Sequence, residues 1–191
     1  MNQKNLLEVD WSKIPAPTDD GAAAHLVGMT IPPLSLLGTD DSSVTLSALP
    51  GRTVVFAYPR TGEPGKIALV DDWDMIPGAR GCTPQTCSFR DLAGELKAAG
   101  AGRVFGLSTQ TTDYQREMVT RLHLPFPVLS DAKLELTKAL KLPTMEVAGQ
   151  TLLKRLALVA DAGVITHVFY PVFPPDRNAA DVLAWLRANP I

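Results

Sequence analysis

Apolar and polar positions fall in blocks along this chain, and the blocks change period in an order that lays out a fold. Residues 1–30 carry little periodicity. Pro15, Pro17 and an Asp-Asp-Gly turn at 19–21 mark an extended arm with room for one short helix. IPPLSLLG (31–38) and SSVTLSAL (42–49) flank a Thr-Asp-Asp turn and read as a β-hairpin. TVVFAYP (53–59) is a short continuous apolar run closed by Pro59, as a buried strand should be. Residues 60–81 (RTGEPGKIALVDDWDMIPGARG) are rich in Gly and Pro and predict a long loop, a length usually tied to function.

A helix is expected next, from near Thr83-Pro84 through DLAGELKAAG (91–100). Thr83 can cap it, proline suits its first turn, and Gly100 and Gly102 stop it. RVFGLST (103–109) reads as a second buried strand. TDYQREMVTRLHL (112–124) reads as an amphipathic helix capped by Thr112 and ended by Pro125. FPVLSD (126–131) predicts a short strand and AKLELTKALKL (132–142) a helix. TLLKRLALVAD (151–161) and VITHVFY (164–170), joined at Ala162-Gly163, predict a second hairpin. Asp176 and Asn178 offer caps for AADVLAWLRA (179–188), where Val182, Leu183 and Leu186 form an apolar stripe. The order β-β, β-α-β-α-β-α, β-β-α defines an α/β fold. Its mixed central sheet is parallel in part, antiparallel at the late hairpin, and flanked by helices on both faces.

Composition narrows the function. At 191 residues and 46% hydrophobic, the chain can bury one real core. A net charge of −2 without a basic run gives no electrostatic reason to expect nucleic acid or an anionic membrane as partner. No stretch approaches the ~20 apolar residues that span a bilayer. The opening MNQKNLLEVDWSKIPAPTDDG has acidic residues and a tryptophan where an export signal needs an apolar run, so the cytoplasm is the expected compartment.

Only two cysteines are present, too few for a disulfide scaffold or for zinc held by thiolates alone. A metal site would need His25, His123 and His167 to converge on them from scattered positions. In a reducing compartment, two close cysteines point to redox chemistry. Both lie in GCTPQTCSFRD (81–91), where the first long helix begins. A cysteine in a first helical turn faces unsatisfied backbone N–H groups and the positive end of the helix dipole. Both favour the thiolate, the form that attacks a peroxide oxygen. Cys87 is placed by sequence to condense with a sulfenic acid at Cys82. The same two residues could also serve as small buried hydrophobes. One continuous helix through 82–87 would hold the two Cα atoms roughly 8–9 Å apart, whereas a disulfide needs about 4.4–6.8 Å. Closing the bond must therefore unwind the helix start.

GCTPQTCSFRD closely resembles the active-site segment of the bacterioferritin-comigratory, or Q-type, peroxiredoxins: Gly-Cys-Thr, a second cysteine five positions on, then Ser-Phe-Arg-Asp. The resemblance runs from about residue 28 to 188, through a strand ending Tyr-Pro, a Gly-Leu-Ser-Thr strand, and an arginine before a late strand. It implies a thioredoxin-like fold for a domain at 28–191 behind an N-terminal arm at 1–27. It also implies reduction of hydrogen peroxide and organic hydroperoxides, with thioredoxin or a similar dithiol as reductant, and a chain working as monomer or homodimer. By that match Cys82 is the peroxidatic cysteine, Cys87 the resolving one, and Arg155 the cation beside the thiolate. A fixed cation there can also donate hydrogen bonds to the peroxide, though an arginine before a strand can equally sit on the surface. No metal, haem or flavin is needed.

The sequence departs from the family in one place. The family compresses Pro-x-x-x-Thr-x-x-Cys into a short loop; here an insertion separates Pro59 from Cys82, and Ala79 stands where the threonine would be. Pro59 keeps its Tyr-Pro context; either Thr61 folds back into the pocket, or Thr83 or backbone N–H groups take the threonine's role, or the pocket is altered. Trp73, Met75 and Ile76 in the insertion could cover the sulfur, line a peroxide pocket, form a subunit contact, or simply pack on the core. Two other activities could use the same cysteine pair: protein thiol–disulfide exchange, whose usual spacing is C-x-x-C, and a redox sensor without turnover.

Overall fold

The computed structural model describes residues 9–191. Nine strands and five α-helices alternate through it. The strands are β1 (Ser35–Gly38), β2 (Ser43–Thr45), β3 (Arg52–Ala57), β4 (Arg103–Ser108), β5 (Val128–Ser130), β6 (Thr144–Val147), β7 (Gln150–Leu153), β8 (Leu156–Asp161) and β9 (Val164–Phe169). The helices are α1 (Cys82–Asp91), α2 (Ala93–Ala98), α3 (Thr112–Leu122), α4 (Glu135–Leu140) and α5 (Asn178–Ala188). Seven strands form one sheet in the order β2-β1-β5-β4-β3-β8-β9. β3, β4 and β5 pair in parallel, and β1, β8 and β9 join antiparallel. This is the mixed sheet of a thioredoxin-like fold, and no helix among the described residues is long and apolar enough to cross a membrane.

β3 lies between β4 and β8 and is buried along its whole length. Its side chains alternate between two cores because the strand has a period of two. Val55 and Ala57 join Leu136 and Leu140 of α4 on one face. Val54, Phe56 and Tyr58 join both cysteines, Phe89, Met118 and Leu183 on the other. Phe56 and Phe89 stack with ring centroids 4.2 Å apart and planes 6° from parallel. That contact fixes the far half of α1 to the centre of the sheet.

The structure corrects several expected boundaries. The helix expected from Thr83 begins at Cys82, with Gly81 as N-cap at φ 108. A Cβ on Gly81 would also meet Pro175 Cγ at 2.6 Å, so both conformation and space require glycine. The expected single helix to residue 100 breaks at Leu92 into α1 and α2. α3 is capped by Thr111, not Thr112. The expected strand 151–161 is two strands: β7 pairs with β6 in a separate hairpin, and β8 enters the main sheet. Its turn residues, Ala148 (φ 49) and Gly149 (φ 74), both adopt positive φ.

Residues before β1 pack onto the domain. Ala23, Leu26 and Ile31 are buried in the core beside α4. Gly28 N donates to Ile165 O at 2.8 Å, and Thr30 bridges Val164 on β9. A short 3-10 turn at Trp11–Lys13 fills the place of the expected short helix, and Asp10 caps it.

Candidate active site

Cys82 is the first residue of α1, and its side chain is buried at 4% exposure. Two groups meet its sulfur: Arg155 Nη2 donates to Sγ at 3.3 Å, and Sγ is 3.6 Å from the carbonyl of Ala79. Arg155 stands in the short break between β7 and β8 and is only 2% exposed. That break is why it can leave the ladder and point into the site. Its Nη2 also donates to the carbonyls of Gly78, Ala79 and Arg80 at 3.1–3.2 Å. The end of the insertion is thereby wrapped around the guanidinium, which the wrapped carbonyls hold against the sulfur.

Gln85 orients that guanidinium from the other side. Its Oε1 accepts from Arg155 Nη1, and its Nε2 donates to Asn178 Oδ1 at 2.9 Å. Cys82 and Gln85 stand three residues apart and so share a helix face. Thr86 Oγ1 donates to the Cys82 carbonyl at 2.8 Å, tying down the first turn. Three buried polar atoms here have no hydrogen-bond partner among the described residues: Arg155 Nε, Asn178 Nδ2 and the Tyr58 hydroxyl. Burial pushes the Tyr58 hydroxyl up from its ordinary range; Ser108 opposes the shift and Cys82 adds to it. Ser108 and Tyr58 do not reach hydrogen-bond geometry, so the phenol is a donor in waiting. Of these, Arg155 Nε belongs to the residue that meets the Cys82 sulfur.

Cys87 lies on the same helix, also buried, at 5% exposure. Burial pushes its thiol up from 9.0; Arg90 opposes this, Asp91 adds to it, and Arg121 opposes it more weakly. At neutral pH Cys87 therefore rests as the thiol. In the reduced protein, mass-mapped alkylation of Cys87 should be slow at pH 7 and quicken as pH rises past 9. A flat profile between pH 7 and 10 would contradict this protonation state.

Of the other expected residues, Thr83 is buried directly after Cys82, and Pro59 is buried directly after Tyr58. Thr61 is buried too, but its N–H and hydroxyl both donate to Gln110 Oε1, at 3.0 and 3.2 Å. Its hydroxyl proton is thus committed away from any substrate. In the insertion, Met75 is 61% and Ile67 93% exposed, so neither packs on the core. A cleft of about 120 Å³ borders Arg155, walled by Pro17, Gly78, Met145 and Tyr170. Sequence reasoning missed Gln85 and read Asn178 and Asp176 as helix caps. Arg177 is the N-cap of α5, while Asn178 serves Gln85 and Asp176 accepts from Trp11. Gln85 could have been found from its i+3 position inside the cysteine motif.

A buried thiol at a helix start, held by an arginine on a thioredoxin-like sheet, defines a class of thiol-dependent redox protein. The redoxin family model matches residues 26–183. Chloroplastic peroxiredoxin Q of Sedum lineare is 31% identical over 163 residues, covering 84% of this chain and 77% of that protein. The solved peroxidoxin BcpB of Mycobacterium tuberculosis superposes with a TM-score of 0.68 at 26% identity, over 86% of this chain and 98% of that one. Xanthomonas campestris peroxiredoxin Q shares the fold at a TM-score of 0.63 and 21% identity, over 92% and 98% of the two chains. The chain belongs to the redoxin family, as a Q-type peroxiredoxin. It is a thiol-dependent peroxidase.

Proposed function

We propose that Cys82 is the peroxidatic and Cys87 the resolving cysteine of a one-chain cycle acting on hydrogen peroxide and organic hydroperoxides. The Cys82 thiolate attacks the terminal peroxide oxygen. The S–O bond forms, the O–O bond breaks, and the leaving oxygen takes a proton to depart as water or alcohol. Cys82 becomes a sulfenic acid. Cys87 then attacks that sulfur; the S–S bond forms and the hydroxyl leaves as water after taking a proton. A thioredoxin-like dithiol reduces the disulfide and is itself oxidised.

The observation that carries this reading is Arg155 Nη2 at 3.3 Å from Cys82 Sγ. A buried guanidinium stabilises the thiolate before attack and the negative charge on the leaving oxygen during it. Arg155 Nε and the Tyr58 hydroxyl supply further donors for the peroxide. Thr83 and Pro59 help position substrate and exclude water, as buried neighbours of Cys82 and Tyr58. The cleft beside Arg155 is lined by prolines, Met145 and Tyr170 and also by the paired Asp20 and Lys154, and Cys82 is not part of its lining. Both thiols lie on one helix, so monomer and homodimer can run the same cycle. A cycle fed by a dithiol fits the cytoplasm.

Cys87→Ser tests the division of roles. The variant should consume one equivalent of peroxide per chain at the wild-type rate, then stall as a sulfenic acid trappable by dimedone. If Cys87→Ser were inert in that first turnover, the two assignments would be reversed. A protein thiol–disulfide exchanger would instead consume no peroxide with either cysteine in place, and a sensor would stop after one turnover even with reductant present.

A further inference from the structure

The segment before the matched family region lies across the start of the cysteine helix. A Cβ built on Gly81 would sit 2.8 Å from Trp11 Cη2, so the indole rests directly on the residue preceding Cys82. The indole is held from two sides: Trp11 Nε1 donates to Asp176 Oδ2 at 3.0 Å, and its ring meets Phe173 edge-on at 6.0 Å. Farther along, Pro17 lies against Gly78, with contacts to a built Cβ at 3.6 and 3.8 Å. Asp20 is tied to Lys154 Nζ at 2.6 Å and to the Tyr170 hydroxyl at 2.7 Å. Residues 11–20 thus run over 78–81, the stretch that wraps Arg155 and leads into Cys82. The redoxin match begins only at residue 26.

We propose that residues 11–20 are a strap that governs disulfide formation, with Trp11 as its positioning residue. The proposal rests on the Cys82–Cys87 cycle above. α1 is continuous from Cys82 to Asp91, so both thiols stand on one regular helix and cannot bond without unwinding it. Unwinding proceeds from the end where fewest helical bonds are lost, since Phe89 is stacked on Phe56 at the other end. Lifting Cys82 out moves Gly81, and the indole stands in its way beside Pro175, whose Cγ would meet the same built Cβ at 2.6 Å. Peroxide attack needs the helix folded, because Arg155 meets Cys82 only there. The strap therefore opposes the second step and leaves the first alone. Loosening it makes condensation (Cys82–SOH plus Cys87–SH giving the disulfide plus water) faster.

The test follows both steps after one equivalent of hydrogen peroxide, with acid quench and mass analysis. Trp11→Ala should form sulfenic acid at the wild-type rate and disulfide roughly five- to tenfold faster, because it loses the ring contact on Gly81 as well as one hydrogen bond. Amide exchange at 82–89 in its reduced form should quicken as well. Trp11→Phe keeps a ring on Gly81 and loses only the N–H, and should be faster than wild type by a smaller factor. It decides the matter if Trp11→Ala fails to fold. A merely structural Trp11 would slow both steps. Disulfide rates equal to or below wild type in these variants overturn the strap while the cycle stands. A wild type that forms no Cys82–Cys87 disulfide overturns the cycle, and the strap with it.

Discussion

Cys82→Ser should reduce peroxide consumption to the uncatalysed background, in single turnover as well as with a dithiol reductant. Serine nearly matches cysteine in shape, and its hydroxyl can still face the Ala79 carbonyl that the thiol faces at 3.6 Å. The site should therefore keep its form. What disappears is the thiol: the helix start and Arg155 both favour an anion there, and a serine hydroxyl is a far weaker acid than a thiol. Thermal melting and the Arg155–Gln85–Asn178 chain should be little changed. Activity within about tenfold of wild type would mean that another group attacks the peroxide.

Arg155→Met should lower the second-order rate with peroxide by roughly ten- to a hundredfold, the range expected for a charge-assisted hydrogen bond worth about 1.5–3 kcal/mol. Methionine keeps approximate length and volume, so charge is the main loss. Arg155 also holds three carbonyls of residues 78–80, and these would lose a buried donor. Two readouts separate the effects. Alkylation of Cys82 at pH 7 should slow if thiolate is lost, while loosening of the insertion alone would speed it by admitting reagent. Lys in place of Arg restores the charge but not the planar fork, so Arg155→Lys should recover only part of the rate. A wild-type rate in Arg155→Met would remove Arg155 from the chemistry.

The parts of this molecule that were legible in its sequence are those whose signals are local. The apolar run at 53–59 and the strand at 103–109 announce the sheet centre, and Ala162-Gly163 announces a turn that the structure places at φ 48 and 81. GCTPQTCSFRD places two thiols at one helix start without knowledge of anything distant. The hairpin of β6 and β7 was not legible, because Ala148-Gly149 carries a positive-φ turn without the Asn-Gly or Asp-Gly signal that usually marks one. Nor were the polar choices made at long range. Asn178 and Asp176 look like caps from their neighbours, yet their partners are Gln85, 93 residues away, and Trp11, 165 residues away. The arm was unreadable for the same reason: its few apolar residues show no period, and only the folded surface explains where Trp11 goes.

The stack of Phe89 on Phe56 bears on how fast the enzyme resets. A helix is slow and costly to begin, since the first turn fixes several residues for a single hydrogen bond, and cheap to extend once begun. With Phe89 pinned to β3 at 4.2 Å, reduction of the proposed disulfide would leave a ready-made nucleus next to the loosened turns. Regrowth toward Cys82 is then a matter of propagation, about nanoseconds per residue. In the proposed cycle, return of the reduced helix is then not the slow step, which lies in the chemistry or in the encounter with reductant.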